Sequence, residues 1–359
     1  MNIGYFISSH GFGHAARACA IIEKLSLINN NKIFIFTETP KWFFENSLKS
    51  DFEYFSIQTD VGLVQENPFV EDLEKTLIEL DKFFPFKEEI NQKIESILLN
   101  NKINLIISDI SPLGVFLASR LKIDSILIEN FTWDWVYTFY LENYPALKKY
   151  IDAFEEIYKM AKFHFTCEPY CNPTARSILT APIFREPRQP KELILNQLSC
   201  SPDDNLILIS MGGIPIEKLE YEKYRSKSNY KFIFPVRNVS QIQHIGSIIY
   251  LPHNHTFFHP DLVNVSKLVV GKVGYSTITE VSSMKKPFMY VGRKKFPESE
   301  ILETYIKSHS ISDSFEFEEL FSETWYLKVT DMLDQQNNFE VPDSGANQIN
   351  SFIMNNYYK

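Results

Sequence analysis

Two histidines and two glycines crowd the start of this chain, in Ser8-Ser9-His10-Gly11-Phe12-Gly13-His14-Ala15-Ala16-Arg17. Gly11 and Gly13 allow a ligand to approach the backbone, and free N–H groups at a helix start attract anions or oxyanions. His14 is a candidate general base or acceptor-positioning group; the plainer alternative is a structural hydrogen bond at the helix start. The spacing G-x-G-x-x-G of a dinucleotide site is absent.

A second segment, Gly271-Lys272-Val273-Gly274-Tyr275-Ser276-Thr277-Ile278-Thr279-Glu280, has phosphate chemistry written into it. Gly274 permits close backbone approach, and Ser276 and Thr277 bring hydroxyls beside free helix N–H groups, a combination that holds a diphosphate. Glu280, one turn further, could accept hydrogen bonds from a ribose diol. The alternative is a capping arrangement, with Ser276 and Thr277 capping the helix and Glu280 closing a capping box. Lys272 is either a phosphate partner or a solvated lysine. Asp109 is either a base, or the group that orients His14, or a cap for the helix that begins near Pro112.

These residues need elements to place them. Ile3 to Ser8 reads as a strand and Ala15 to Leu25 as the following helix, so the first segment leaves the carboxyl end of a strand. Further strands are expected at Lys32–Thr37, Phe52–Ile57, Leu105–Ser108, Ser125–Glu129 and Phe163–Thr166. Val70 to Asn100 reads as two helices broken near Pro85, and Pro112 to Leu121 as another. An aromatic stretch from Phe131 to Lys162, with Trp133, Trp135, Tyr137, Phe139 and Tyr140, is either a packed helix pair or a surface for an apolar or sugar-bearing acceptor.

Prolines 173, 182, 187 and 190 mark an interdomain linker, with the boundary near residue 187. The alternation then resumes with strands at Leu206–Ser210, Lys231–Pro235, Ile248–Leu251, Leu268–Val270 and Phe288–Val291. Helices are expected at Thr277–Met284, Ser299–Ser308, Glu318–Asp334 and Gly345–Tyr357. Strands that recur with helices between them imply parallel sheets covered on both faces. The expected architecture is α/β, with two Rossmann-like domains at 1–186 and 187–359, and the last helix a candidate to pack back on the first domain.

Composition narrows the function. The 359 residues carry 44% hydrophobic content and a formal charge of −9, values of a folded protein that argue against polyanion binding as the default. Cys19, Cys167, Cys171 and Cys200 lack a trustworthy metal spacing and read as reduced thiols. No apolar run reaches the ~18 residues of a membrane span, and the first residues read as a strand rather than a signal peptide. A cytoplasmic protein that binds no nucleic acid is expected.

The stretch from Phe258-His259-Pro260-Asp261-Leu262 through Glu280 to Lys286-Pro287-Phe288, with the opening Gly11-Phe12-Gly13-His14-Ala15 and Arg17, closely resembles the glycosyltransferase-like half of plant arabinokinase-type proteins and their free-standing bacterial relatives. More distantly it is similar to the bacterial transferases that add N-acetylglucosamine to a lipid-linked peptidoglycan precursor. The resemblance implies a GT-B fold, two domains facing each other across a cleft, with a nucleotide-sugar donor held mainly by the C-terminal domain. It implies that Ser276 and Thr277 face the diphosphate, that Glu280 faces the ribose, and that the turn Met211-Gly212-Gly213 lies near the phosphates. Glu298, in Pro297-Glu298-Ser299-Glu300, falls where relatives place polar residues against the donor sugar. Arg237 would reach the donor's base or phosphates, unless it is a surface arginine.

The implied reaction is inverting, metal-independent transfer from a nucleotide diphosphate sugar, with uridine the nucleoside by resemblance alone. His14 or Asp109 would deprotonate an acceptor hydroxyl, on a lipid-linked substrate or a small glycan, and no cofactor beyond the donor is expected. Two glutamates replace the Asn- and Gln-bearing motif of the peptidoglycan enzymes, so donor sugar and acceptor do not carry over. A non-hydrolysing nucleotide-sugar epimerase and a catalytically inactive nucleotide-sugar-binding protein fit the same architecture.

Overall fold

In this computed structural model residues 1–27, 31–67, 70–211, 229–236, 239–293 and 295–358 are described. The apolar run after Met1 forms β1 (Asn2–Ile7), in which Ile3, Tyr5, Phe6 and Ile7 are all fully buried. A strand with no solvent face belongs to a parallel sheet covered by helices on both sides. The chain goes on through α1 (Phe12–Ser26), β2 (Lys32–Thr37), α2 (Lys41–Ser47), β3 (Phe52–Ser56), the short pair β4 (Gln65–Asn67) and β5 (Val70–Glu71), α3 (Leu73–Phe83) and α4 (Glu88–Asn100). There follow β6 (Leu105–Asp109), α5 (Pro112–Leu121), β7 (Asp124–Glu129), α6 (Trp133–Thr138), α7 (Lys148–Lys159), β8 (Phe163–Cys167) and β9 (Ser177–Thr180).

Seven of these strands form one parallel sheet in the order β3-β2-β1-β6-β7-β8-β9. The order reverses between β1 and β6. At such a switch point the connections leave to opposite faces and open a crevice at the carboxyl ends of the strands. The aromatic stretch is chiefly a helix pair: Trp133, Val136 and Tyr137 of α6 are buried with Tyr150, Phe154 and Tyr158 of α7. Trp135 and Tyr140 stay half-buried, and Phe139 is exposed.

The second half repeats the scheme with α8 (Lys191–Gln197), β10 (Asn205–Ser210), β11 (Tyr230–Val236), β12 (Gln243–Ile245), β13 (Ile248–Pro252), α9 (His259–Val265) and β14 (Leu268–Lys272). It continues with α10 (Tyr275–Ser283), β15 (Phe288–Val291), α11 (Glu298–His309), β16 (Ser312–Ser314) and α12 (Glu323–Asp334). The sheet order is β12-β13-β11-β10-β14-β15-β16, with β12 antiparallel to β13 and the remaining pairs parallel. Its reversal falls between β10 and β14. The helix expected from Glu318 begins instead at Glu323, because the Ser322 hydroxyl accepts from the Trp325 N–H and caps it there.

Two compact units result. One is Met1–Ile183 with Lys295–Glu298 and Asp343–Lys359; the other is Phe184–Lys294 with Ser299–Pro342. The tail helix, α13 (Gly345–Tyr357), therefore belongs to the first unit. The Gly345 N–H donates to the Pro182 carbonyl at 2.9 Å, and Phe352 meets the rings of Phe163 and Phe165. Against the expected division at 187, the second unit begins at Phe184, and both α13 and the short stretch Lys295–Glu298 group with the first. Among the described residues no helix is long and apolar enough to cross a membrane.

Helix α5 rides close on the first sheet. A Cβ on Gly114 would lie 2.2 Å from Ser108 Oγ and 2.7 Å from Phe6 Cβ. Gly114→Ala should therefore cost about 1–3 kcal/mol by overpacking. Urea unfolding should show this as a lower midpoint at unchanged slope; an unmoved midpoint would mean that the helix shifts away freely.

Candidate active site

The switch point of the first unit gathers four polar side chains. Asp109 ends β6, opposite Ile7 at the end of β1. The next residue, Ile110, is buried and has a φ of 47°, a left-handed conformation that a β-branched residue rarely adopts. That twist separates two tasks. Ser111 caps α5, its hydroxyl accepting from the Gly114 N–H, while Asp109 points to α1. The helix-capping alternative for Asp109 is therefore set aside.

His14 and Arg17, three apart on α1, face the same carboxylate. His14 Nδ1 lies 2.8 Å from Asp109 Oδ1. Arg17 donates from Nε to Oδ2 at 2.7 Å and from Nη2 to Oδ1 at 2.6 Å. Its Nη1 donates to Asn130 Oδ1 at 2.7 Å, and Asn130 Nδ2 donates to Glu298 Oε1 at 2.6 Å. Asp109 and Asn130 are fully buried, and Arg17 is 1% exposed. Burial pushes the Asp109 carboxyl up, but the charge and bonds of Arg17, with His14 added, hold its pKa below the ordinary value. Arg17 Nη2 also lies 3.2 Å from His14 Nδ1; a neutral His14 that donates from Nδ1 to the ionised Asp109 keeps its lone pair on Nε2.

Glu298, expected against the donor sugar, is buried and accepts from Asn130 within the first unit. Its neighbour Phe296 stacks on His10 at 6.0 Å. At the opening of α1, Gly11 is the N-cap with φ 80° and no side-chain cap, so glycine is needed there for the backbone itself. Gly13 lies half-buried in the first turn.

Asp60 is a carboxylate that sequence reading missed. Trp133 Nε1 donates to its Oδ2 at 2.8 Å, and Thr59 Oγ1 anchors the same loop to the Ile7 carbonyl. Burial pushes its carboxyl up, outweighing the Ser8 and Trp133 bonds and the His14 charge, to about 6. Asp60 and Asp109 thus share one region with opposite shifts.

In the second unit the same topology places Ser210, at the end of β10, opposite Gly271 in β14. The strands leave no room: a Cβ on Gly271 would lie 2.2 Å from the Ser210 carbonyl oxygen. Lys272 ends β14 half-buried. Gly274 caps α10 with an extended backbone and open space about its Cα, and no side chain caps the helix. The capping-box alternative is therefore set aside. Ser276 is half-exposed and Thr277 buried in the first turn.

Glu280 is the residue expected to face a ribose diol. It is 1% exposed. Arg185 Nε donates to its Oε1 at 2.7 Å, and His259 Nδ1 lies 2.9 Å from Oε2. The carboxylate faces Arg185 through Oε1 and His259 through Oε2. Burial pushes it up, but Arg185 and His259 together bring its pKa below the ordinary value. His259 Nε2 lies 3.1 Å from Ser210 Oγ.

Gly212, Gly213 and Arg237 lie outside the described residues. Arg17, Asn130, Arg185 and His259 entered the sequence reading at most as letters of a motif. The spacing His14-x-x-Arg17 was the available signal, since it puts both side chains on one helix face. The partners of the other three are distant in sequence.

A family profile described as Glycosyl transferase family 1 matches residues 1–323. L-arabinokinase of Arabidopsis thaliana is 25% identical over 319 residues, which cover 84% of this chain and 29% of the plant protein. The chain thus spans less than a third of that relative's length. Among solved structures, the glycotransferase of kitacinnamycin superposes with a TM-score of 0.62 and 8% identity, over 93% of this chain and 91% of its own. A UDP-glucosyltransferase from Polygonum tinctorium gives 0.60 and 13%, over 99% and 98%. MurG from Acinetobacter baumannii gives 0.53 and 11%, over 99% of both chains. Likeness at such identities speaks to fold, and the fold of two parallel-sheet α/β units is GT-B.

The two carboxyls of the first unit should respond oppositely to removal of their charge. Asp109→Asn strands a buried guanidinium and should cost about 3–5 kcal/mol. Asp109's own contribution is present above its unfolded pKa of about 4 and disappears as pH falls through the lower folded value. Asp60 binds a proton in the fold that the unfolded chain has released between about pH 4 and 6, so its ionisation weakens the fold as pH rises through that window. Asp60→Asn should therefore stabilise by about 1–3 kcal/mol at pH 8 and by nothing at pH 4. Denaturation at the two pH values checks both; an Asp60→Asn protein weaker at pH 8 would contradict the assignment.

Proposed function

The chain belongs to glycosyl transferase family 1, and from that premise we propose that it moves a sugar from a nucleoside diphosphate sugar to an acceptor hydroxyl. The observation that carries this reading is the pairing of His14 Nδ1 with the buried Asp109 at the switch point of the first unit. Fixing Nδ1 leaves Nε2 as the atom that takes the acceptor's proton. The acceptor oxygen then forms a bond to the anomeric carbon while the bond from that carbon to the diphosphate breaks. The electron pair leaves with the diphosphate, the proton ends on His14, and the configuration inverts.

The uncapped start of α10, with Ser276 and Thr277, supports a diphosphate site that stabilises the leaving group. Uridine is the proposed nucleoside. The reading requires no metal and no further cofactor. None of the four cysteines is in a disulfide, which supports a reducing, cytoplasmic setting.

Arg17 favours a second reading. Its two hydrogen bonds to Asp109 neutralise the carboxylate that stands behind His14. A protein that binds a nucleotide sugar and turns nothing over is consistent with that pairing.

Thermal melting against uridine, guanosine, thymidine and adenosine diphosphates and their sugar conjugates tests the donor. A ligand present at ~100 to 1,000 times its dissociation constant should stabilise the protein by about 3–4 kcal/mol. A response to uridine compounds above the others is expected; no response to any would overturn donor binding. His14→Ala should keep that response and lose about 10²- to 10⁴-fold in transfer. Unchanged transfer would remove His14 from the reaction, and binding without turnover in the native protein would favour the second reading.

A further inference from the structure

The transfer reaction proposed above leaves its acceptor unnamed, and the first unit carries a surface with a chemistry of its own. Strand β7 lies beside β6 with Ile128 opposite Asp109, so α6, which follows β7, starts beside the strand end that carries Asp109. Trp135 and Phe139 are four residues apart and share a helix face, with their rings T-shaped at 4.9 Å. Trp135 meets Phe131 at 6.3 Å, and Phe131 meets the ring of His14 at 5.9 Å. A line of rings thus joins the candidate base to Phe139, which is 57% exposed.

This line is held in place. The Tyr140 hydroxyl donates to the Lys295 carbonyl at 2.8 Å, and the next residue, Phe296, packs edge-on to Phe131 at 5.9 Å as well as stacking on His10. Phe131 is buried and serves as the floor between His14 and Trp135. Rings fixed in this way lose little conformational freedom when a ligand settles on them.

Exposure decides which ligand fits. Trp135 is half-buried and Phe139 stands largely in water, so the outer rings form a platform. Small apolar ligands are taken by pockets that bury most of their surface, and on a platform much of that surface would stay wet. A sugar ring is two-sided: its C–H face lies against the negative face of an aromatic ring, and the hydroxyls round its rim remain solvated. Two rings at a steep angle present a face and an edge, a corner that receives another ring better than an extended chain. A sugar also brings the hydroxyl that His14 needs.

Resting on the reading of this chain as a sugar transferase, we infer that its acceptor is a carbohydrate, a short glycan with one ring stacked on Trp135 and Phe139 and a hydroxyl at His14 Nε2. Trp135 and Phe139 then set acceptor affinity and are indifferent to the donor.

Fluorotryptophan labelling tests this, because the chain has four tryptophans and a Trp135→Phe variant assigns the signal of Trp135 in fluorine NMR. The probes are cellobiose, maltose, lactose and diacetylchitobiose, set against 4-nitrophenol and farnesyl phosphate. A saturable shift of the Trp135 signal is expected with at least one disaccharide. Tighter binding there of 4-nitrophenol or farnesyl phosphate than of every disaccharide would overturn the acceptor class, and no shift with any probe would overturn the site.

Phe139→Ala, at an exposed position, should weaken the responding disaccharide about fivefold or more while the response to UDP in thermal melting stays native. Trp135→Ala should do the same by calorimetry; native disaccharide affinity in both variants would refute the stacking. A native protein that responds to nucleotides but to no disaccharide refutes this inference alone. One that responds to a disaccharide at Trp135 but to no nucleotide supports the carbohydrate site and refutes the donor reading instead.

Discussion

A carboxylate removed from water stays ionised only if buried cations or donors replace the lost solvation, and each unit of this protein is organised round one such group. In the first unit Asp109 is held by both edges of Arg17 and by His14. In the second, Glu280 is held by Arg185 and His259. Both are buried, and both have pKa values below the ordinary range because their partners outweigh burial. A histidine stands on the outer side of each. Breaking either pair would leave a charge in the interior with no answer, so the surrounding helices and strand ends are constrained to keep them together.

Topology explains why these pairs lie where they do. Each sheet reverses its strand order once among its parallel strands, between β1 and β6 and between β10 and β14. The strand ends at such a reversal are the place where side chains from several connections converge. Asp109 comes from a strand end, while His14 and Arg17 come from the first turns of the helix beside it. Ser210 comes from a strand end, His259 from α9 and Glu280 from α10. The left-handed Ile110 in one unit and the side-chain-free Gly271 in the other are local departures that this crowding imposes.

Charge distribution within the first unit separates the roles of its carboxylates. Asp109 is neutralised and rigid. Asp60, whose bonds to Ser8 and Trp133 do not offset its burial, carries the opposite shift. Glu298 joins through Asn130 and so ties the short stretch Lys295–Glu298 to the same network as Arg17. The aromatic residues nearby serve mostly as the packed interior of α6 and α7, with Trp135, Phe139 and Tyr140 at its margin.

Reading the chain alone was enough for what depends on neighbours in sequence. Continuous apolar runs announced the buried strands, Lys32–Thr37 and Phe288–Val291 to the residue, and Pro112–Leu121 was legible as a helix from its proline start. His14, Asp109, Ser276 and Glu280 were legible as candidates because their types are unusual beside a glycine turn or a strand end. Short edge elements such as β9, β12, β16 and α8 were not, since so few residues carry little periodic signal. What each candidate touches was decided by tertiary structure. Arg17 and Asp109 are 92 residues apart, Arg185 and Glu280 are 95 apart, and Asn130 and Glu298 are 168 apart. No local pattern encodes such pairings. They arise because parallel strands need long crossovers, and the crossovers return distant residues to adjacent strand ends.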